Sequence, residues 1–166
     1  MAKNSSFDIT TGCDYQEIDN ALNQARKEII NRYDFKNVVA EIDFDQHNNS
    51  IEIRTEDNFK LDAIWTILVS KFIARKVPLE NIKRNPLETA SGGSIRQSLS
   101  LIQNIESDIA RDITNHVKSM KLKRTQAQNQ ADSIRVSSPN RDDLQKVMRN
   151  LENEDWGIKL IFGNYR

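Results

Sequence analysis

Lys118, Lys121, Lys123 and Arg124 place four cations within seven residues. Gln126, Gln128 and Gln130 follow Arg124 at a period of two, so an extended chain presents one cation and then three amides along one face. Arg135 alternates with Ile134 and Val136 and so points away from the layer those two enter. Arg141 stands where a helix is expected to begin, near unpaired backbone N–H groups. Cations, amides and a helix N-terminus together suit phosphate oxygens and base edges. The same residues also describe an ordinary solvated sheet face, with lysines favoured at a helix C-terminus.

A second cluster lies in NRYDFKNV, residues 31–38. If this stretch is extended, Tyr33 and Phe35 point one way, and Arg32, Asp34 and Lys36 the other. The aromatics then seal a helix onto a sheet. Arg32 and Lys36 would meet phosphate, with Asp34 orienting Arg32 or accepting from a guanine edge. Both readings stand, and they are compatible.

Catalytic candidates are sparse. His47 lies in a polar turn and His116 on a helix, neither with a metal-ligand neighbour at useful spacing. Cys13 precedes a helix start, where a thiolate is favoured, but a small half-buried residue is the simpler expectation. Asp142 and Asp143 read as first-turn acids that complement a helix dipole. Gly92-Gly93 precedes a strand rather than a helix, which makes it a weak phosphate loop. No catalytic constellation emerges, so a non-enzymatic protein without a cofactor is expected.

These residues need a scaffold. Phe7 and Ile9 indicate a short strand. Asp14 caps a helix carrying Ile18, Leu22, Ala25 and Ile29, with Glu17 placed for a capping box. Val38, Ala40, Ile42 and Phe44 alternate, the turn QHNN follows, and Ile51 and Ile53 return as a hairpin. Asp57 caps a helix with Leu61, Ile64, Trp65, Leu68, Phe72 and Ile73 on its apolar stripe. Residues 77–93, with two prolines and the glycine pair, read as a linker that starts with a short strand. Ile95, Leu99 and Leu101 mark a strand, and Ile105, Ile109, Ile113 and Val117 a helix. Residues 122–130 and 132–137 form a hairpin, and Ser138 or Asn140 caps a helix with Leu144, Val147, Met148 and Leu151. Ile158, Leu160 and Phe162 close with a strand.

The second half echoes the first. Ile51, Ile53, Leu61, Ile64 and Leu68 match Ile134, Val136, Leu144, Val147 and Leu151 at a constant offset of 83. An α+β fold follows: a duplicated ferredoxin-like β-α-β-β-α unit with antiparallel sheets and helices on one face. SIEIRT and SIRVSS lack aromatics, which argues against the base-stacking sheet of RNA-recognition motifs. Lys plus Arg and Asp plus Glu number 24 each, so no whole-protein field gathers polyanions. The single cysteine excludes a disulfide framework. No secretory signal is read in MAKNSSFDIT, and AIWTILVSKFIA (63–74) is too short to span a bilayer. A cytoplasmic protein without membrane contact is expected.

SFDI, NRYDFKNV, KLKRTQAQ with SIRVSSPNRDDLQ, and the FGNYR ending resemble the YajQ family over nearly the whole chain. The resemblance implies that the halves exchange their first strands. Residues 11–104, including 77–93, would then form one domain, and 105–166 plus strand 6–10 the other. It also implies a purine-nucleotide binder, with cyclic di-GMP among the candidates, acting through a regulatory protein or nucleic acid. An RNA- or tRNA-binding protein is the alternative. The implied binding residues are Arg32, Asp34, Phe35, Lys36, Lys123, Arg124, Gln126, Arg135 and Arg141. The sequence departs from the family's pattern at IQNI (102–105), where members commonly carry Lys-Gln-Gly-Ile.

Overall fold

Alternation of Phe7 and Ile9 with polar neighbours produces β1 (Ser5–Thr10) in the computed structural model, which describes residues 3–166. Asp14 then caps α1 (Tyr15–Asn31) by accepting from the Gln16 N–H. Glu17 does not complete a capping box. It reaches instead to Arg75 at 2.9 Å. A 3₁₀ turn (Tyr33–Phe35) leads to the hairpin of β2 (Ala40–Asp45) and β3 (Ser50–Thr55). Asp57 caps α2 (Asn58–Ala74) through the Lys60 N–H.

The stretch 77–93 is more than a linker with one short strand. It contains a 3₁₀ turn (Leu79–Asn81), β4 (Ile82–Arg84) and β5 (Glu88–Thr89), both strands paired with β6 (Ile95–Leu101). Helix α3 (Ser107–Ser119) begins after Ile105 rather than including it. Next come β7 (Gln126–Asn129), β8 (Ile134–Ser138), α4 (Arg141–Glu152) and β9 (Ile161–Gly163). Asn140 is the α4 cap, accepting from the N–H groups of Asp142 and Asp143.

The chain divides into two units. One is Cys13–Gln103; the other joins the segment ending at Gly12 to Asn104–Arg166. Their sheets share one plan. The first runs β2-β3-β6-β4 and the second β7-β8-β1-β9, antiparallel throughout. In each, the strand next to the hairpin comes from the other half of the sequence: β6 beside β3, and β1 beside β8. The duplicated ferredoxin-like fold with exchanged first strands is thus present.

In the first unit, Ile18, Leu22, Ala25 and Ile29 of α1 and Leu61, Ile64, Leu68 and Phe72 of α2 bury against Ile51, Ile53 and Leu99. Ile73 falls outside this stripe and is 60% exposed, because one helical step of about 100° turns it away from Phe72. In the second unit, Phe7, Ile9, Ile134 and Val136 are buried on one sheet face, as are Ile113, Leu144, Val147 and Leu151 of the helices.

The open face of that second sheet is held by charge. Asp8 sits directly across from Arg135, whose Nε donates to Asp8 Oδ1 at 2.9 Å. Asn164 donates to the other oxygen at 2.6 Å. The Arg135 hydrogen bond, helped by the Asn164 amide, holds the Asp8 carboxyl below its usual range although burial opposes this.

Two outcomes follow. Phe7→Ala should cost about 3–5 kcal/mol in urea unfolding, with amide exchange accelerating at Ile134 and Val136. A carboxyl with a lowered folded-state pKa stabilises the fold above its unfolded value and loses that effect as pH falls through the folded one. The stability advantage of the wild type over Asp8→Asn should therefore be constant near neutrality and shrink below about pH 4, where an unfolded aspartate titrates.

Candidate functional site

NRYDFKNV does not run extended. Phe35 and Lys36 donate their N–H groups back to the carbonyls of Arg32 and Tyr33 at 3.2 and 3.1 Å. Asn37 then takes a left-handed φ of 62° to enter the hairpin. At three residues per turn, the two steps from Tyr33 to Phe35 rotate the side chains by about 240°, onto different faces. Phe35 is 5% exposed and plugs the core, whereas Tyr33 is 89% exposed. Only Phe35 acts as the seal.

The charges of this turn are largely engaged with one another. Arg32 makes a two-pronged pair with Asp34, Nε to Oδ1 at 2.9 Å and Nη2 to Oδ2 at 2.8 Å. That bond raises the Arg32 pKa and lowers the Asp34 pKa. Lys60 of α2 donates to the Asp34 carbonyl. Arg32 and Lys60 also lie 5.5 and 5.2 Å from the centre of the Phe35 ring. Lys36 is exposed and makes no salt bridge among the described residues. Sequence reasoning did not anticipate Lys60, which lies 26 positions from Asp34.

The remaining candidates belong to the other unit. Lys123 and Arg124 form the turn before β7, and Arg124 takes a left-handed φ of 57°. Arg124 is therefore not the first member of a strand row, and Gln130 lies beyond the strand's end. Gln126 and Gln128 do share one face, opposite Ser137 and Arg135. Among the described residues Lys123 and Arg124 make no salt bridge. Arg135 points to the open face as expected, but Asp8 neutralises it.

Arg141 is placed differently. It opens α4, and its Nε reaches the Ser5 hydroxyl at 3.3 Å. Arg141, Leu144, Gln145 and Met148 lie on one helix face at i, i+3, i+4 and i+7. This face meets the start of β1 and the tail after β9, where Arg166 and Ser6 exchange backbone hydrogen bonds at 3.0 and 3.1 Å. Between them opens a cleft of about 350 Å³, lined also by Tyr165 and Arg166. Leu144 and Met148 form its apolar floor and Tyr165 stands 63% exposed at its edge. Among the described residues no acidic side chain lines it. The sequence signal was divided between RDDLQ, FGNYR and SFDI, and only the strand exchange joins them.

Other candidates lack chemistry. Burial pushes the Cys13 thiol up to about 11, which disfavours a thiolate. His116 pairs with Asn150 at 2.7 Å and meets the Trp156 ring edge-on. Asp143 faces Lys146 at 3.9 Å. Among the described residues no three histidine, cysteine or acidic side chains gather as a metal site. Gly92 and Gly93 line a cleft with Glu41, Glu56 and Arg54, and because Glu41 already pairs with Arg54 at 3.7 Å, the acids outweigh the one cation and disfavour an anion. The open faces of the central strands carry Glu52, Arg54, Arg96, Asp8 and Arg135, with no aromatic.

The family described as "Nucleotide-binding protein YajQ-like" matches residues 5–166. A protein of Geotalea uraniireducens named "Nucleotide-binding protein" is 44% identical over 161 residues, covering 97% of this chain and 98% of that protein. Relatives from Bacillus mycoides and Chloroherpeton thalassium, also named nucleotide-binding proteins, are 43% and 41% identical over 166 residues, the full length of both chains in each case. No helix among the described residues is long and apolar enough to cross a membrane. With its exchanged first strands and a match along almost its entire length, the chain belongs to the YajQ family.

Proposed function

We propose that this protein is a cytoplasmic, non-enzymatic nucleotide-binding module, with Arg141 as its principal phosphate ligand. One observation carries this reading: among the described residues Arg141 makes no salt bridge, and it borders a cleft with an apolar floor. An unpaired guanidinium offers two-pronged hydrogen bonds to phosphate oxygens without first breaking an internal pair. Arg32 and Arg135 lack that freedom, since Asp34 and Asp8 already occupy them. The names of the relatives support the same class of ligand.

A second reading has its own support. Lys123 and Arg124, with Gln126 and Gln128 beside them on an edge strand, form a basic margin suited to an RNA backbone. Salt separates the two, because RNA affinity falls by a slope set by the number of phosphates engaged.

Calorimetry against GTP, ATP, cyclic di-GMP and cyclic di-AMP should show binding of at least one ligand. Arg141→Gln should weaken it about tenfold or more, in keeping with a lost charge-assisted hydrogen bond of roughly 1.5–3 kcal/mol. Lys123→Glu/Arg124→Glu should leave it within about twofold. Absence of heat for all four ligands would end this reading. For RNA the pattern should reverse, with the double charge reversal abolishing binding and a steep salt slope in the wild type. RNA binding that survives the reversal would remove the second reading. Magnesium or manganese should bring no turnover of the nucleotide panel.

A further inference from the structure

Building on the proposed reading, we infer that the cleft between α4 and the β1 end takes one purine nucleoside monophosphate, its base against Tyr165 and its phosphate between Arg141 and Arg166. Three features lead there: size, charge and chemical layout.

The volume, about 350 Å³, lies at the lower end of the range for small-ligand sites, roughly 300–1,000 Å³. One nucleotide fills such a space. A cyclic dinucleotide has twice that bulk and would leave one half in water. Only the enclosed half would contribute binding energy, while the whole ring would be ordered.

Charge points the same way. A phosphate monoester carries a charge of about −1.5 to −2 at neutral pH. Two guanidinium groups, Arg141 and Arg166, line the cleft; among the described residues neither makes a salt bridge, although Arg166 lies near enough to Asp8 to help lower its pKa. The two phosphodiesters of a cyclic dinucleotide are single charges on opposite sides of a ring, so two arginines in one small cleft match a single terminal phosphate better. Asp142, Asp143 and Glu152 of α4 do not line it.

The layout separates a cationic end from an apolar one. Leu144 and Met148 are buried beneath the cleft and offer an apolar floor, with the polarisable sulfur of Met148 in it. Tyr165 stands largely free of the core, its hydroxyl donating to the Phe162 carbonyl at 3.4 Å. Its ring is thus available to stack on a base. Gln145, one helical turn beyond Arg141, supplies an amide that both donates and accepts, so it pairs with the edge of either purine. A two-ring base covers more of the tyrosine and the methionine floor than a one-ring base does.

Tyr165 is exposed, so its replacement should leave the fold intact, as unchanged urea unfolding would show. In calorimetry, GMP and AMP should bind more tightly than CMP, ribose 5-phosphate, inorganic phosphate or cyclic di-GMP. Tyr165→Ala should weaken GMP about tenfold, the scale of a lost base stack, bringing it near ribose 5-phosphate. Tyr165→Phe should retain wild-type affinity. If cyclic di-GMP binds more tightly than GMP, or Tyr165→Ala leaves GMP affinity unchanged while Arg141→Gln abolishes it, this inference falls and the proposed function stands. If no nucleotide binds, both fall.

Discussion

Insertion of β1 between β8 and β9 is the constraint on which the rest of the second unit depends. β1 comes from the far end of the chain and supplies a central strand. Phe7 and Ile9 place two fully buried side chains in the apolar layer. On the opposite face Asp8 answers Arg135, a cross-strand pair of opposite charges that favours this register. A slip of one residue would turn Phe7 and Ile9 to solvent and bury Asp8 against the helices. The cleft depends on the same register, since Ser5 and Ser6 form one wall and Ser6 ties down the tail bearing Tyr165.

Charge is apportioned between structure and binding. With 24 acids against 24 cations, the protein has no surplus to attract phosphate from a distance. What matters is which cations lack acidic partners. Arg32, Arg54, Arg75, Arg96 and Arg135 are each paired with an acid, and so are committed to turns, sheets or helix contacts. Among the described residues Arg141 makes no salt bridge, and it shares a cleft with Arg166, which reaches Asp8 only through its field. An anion bound beside Arg141 breaks no internal salt bridge among the described residues.

Much of the fold was legible because its signals are local. Period-two alternation marked most strands, although it put Ile158 and Leu160 in the last one, which spans only Ile161–Gly163; the capping aspartates and Asn140 marked helix starts, and the offset of 83 exposed the duplication. NRYDFKNV misled because strict alternation in sequence fits an extended chain, yet a 3₁₀ turn sends Phe35 inward and leaves Tyr33 outside. Residues 77–93 hid β4 and β5 because prolines and glycines masked two short strands whose pairing is set by β6. The binding candidates were legible as cations but not as a set. Neutralisation of Arg135 depends on a partner 127 positions away, and the cleft joins residues from both ends of the chain. No periodicity encodes such proximities; they follow from strand order.

The central claim is that a nucleotide is held by the α4 face, the start of β1 and the tail after β9. Chemical-shift mapping of isotope-labelled protein during titration with GMP tests it most directly. The largest changes should fall on the amides of Ser5, Ser6, Gln145 and Tyr165 and on the Met148 methyl group. Changes confined to Arg32, Asp34, Lys36 and Lys60, with the α4 face silent, would contradict the account.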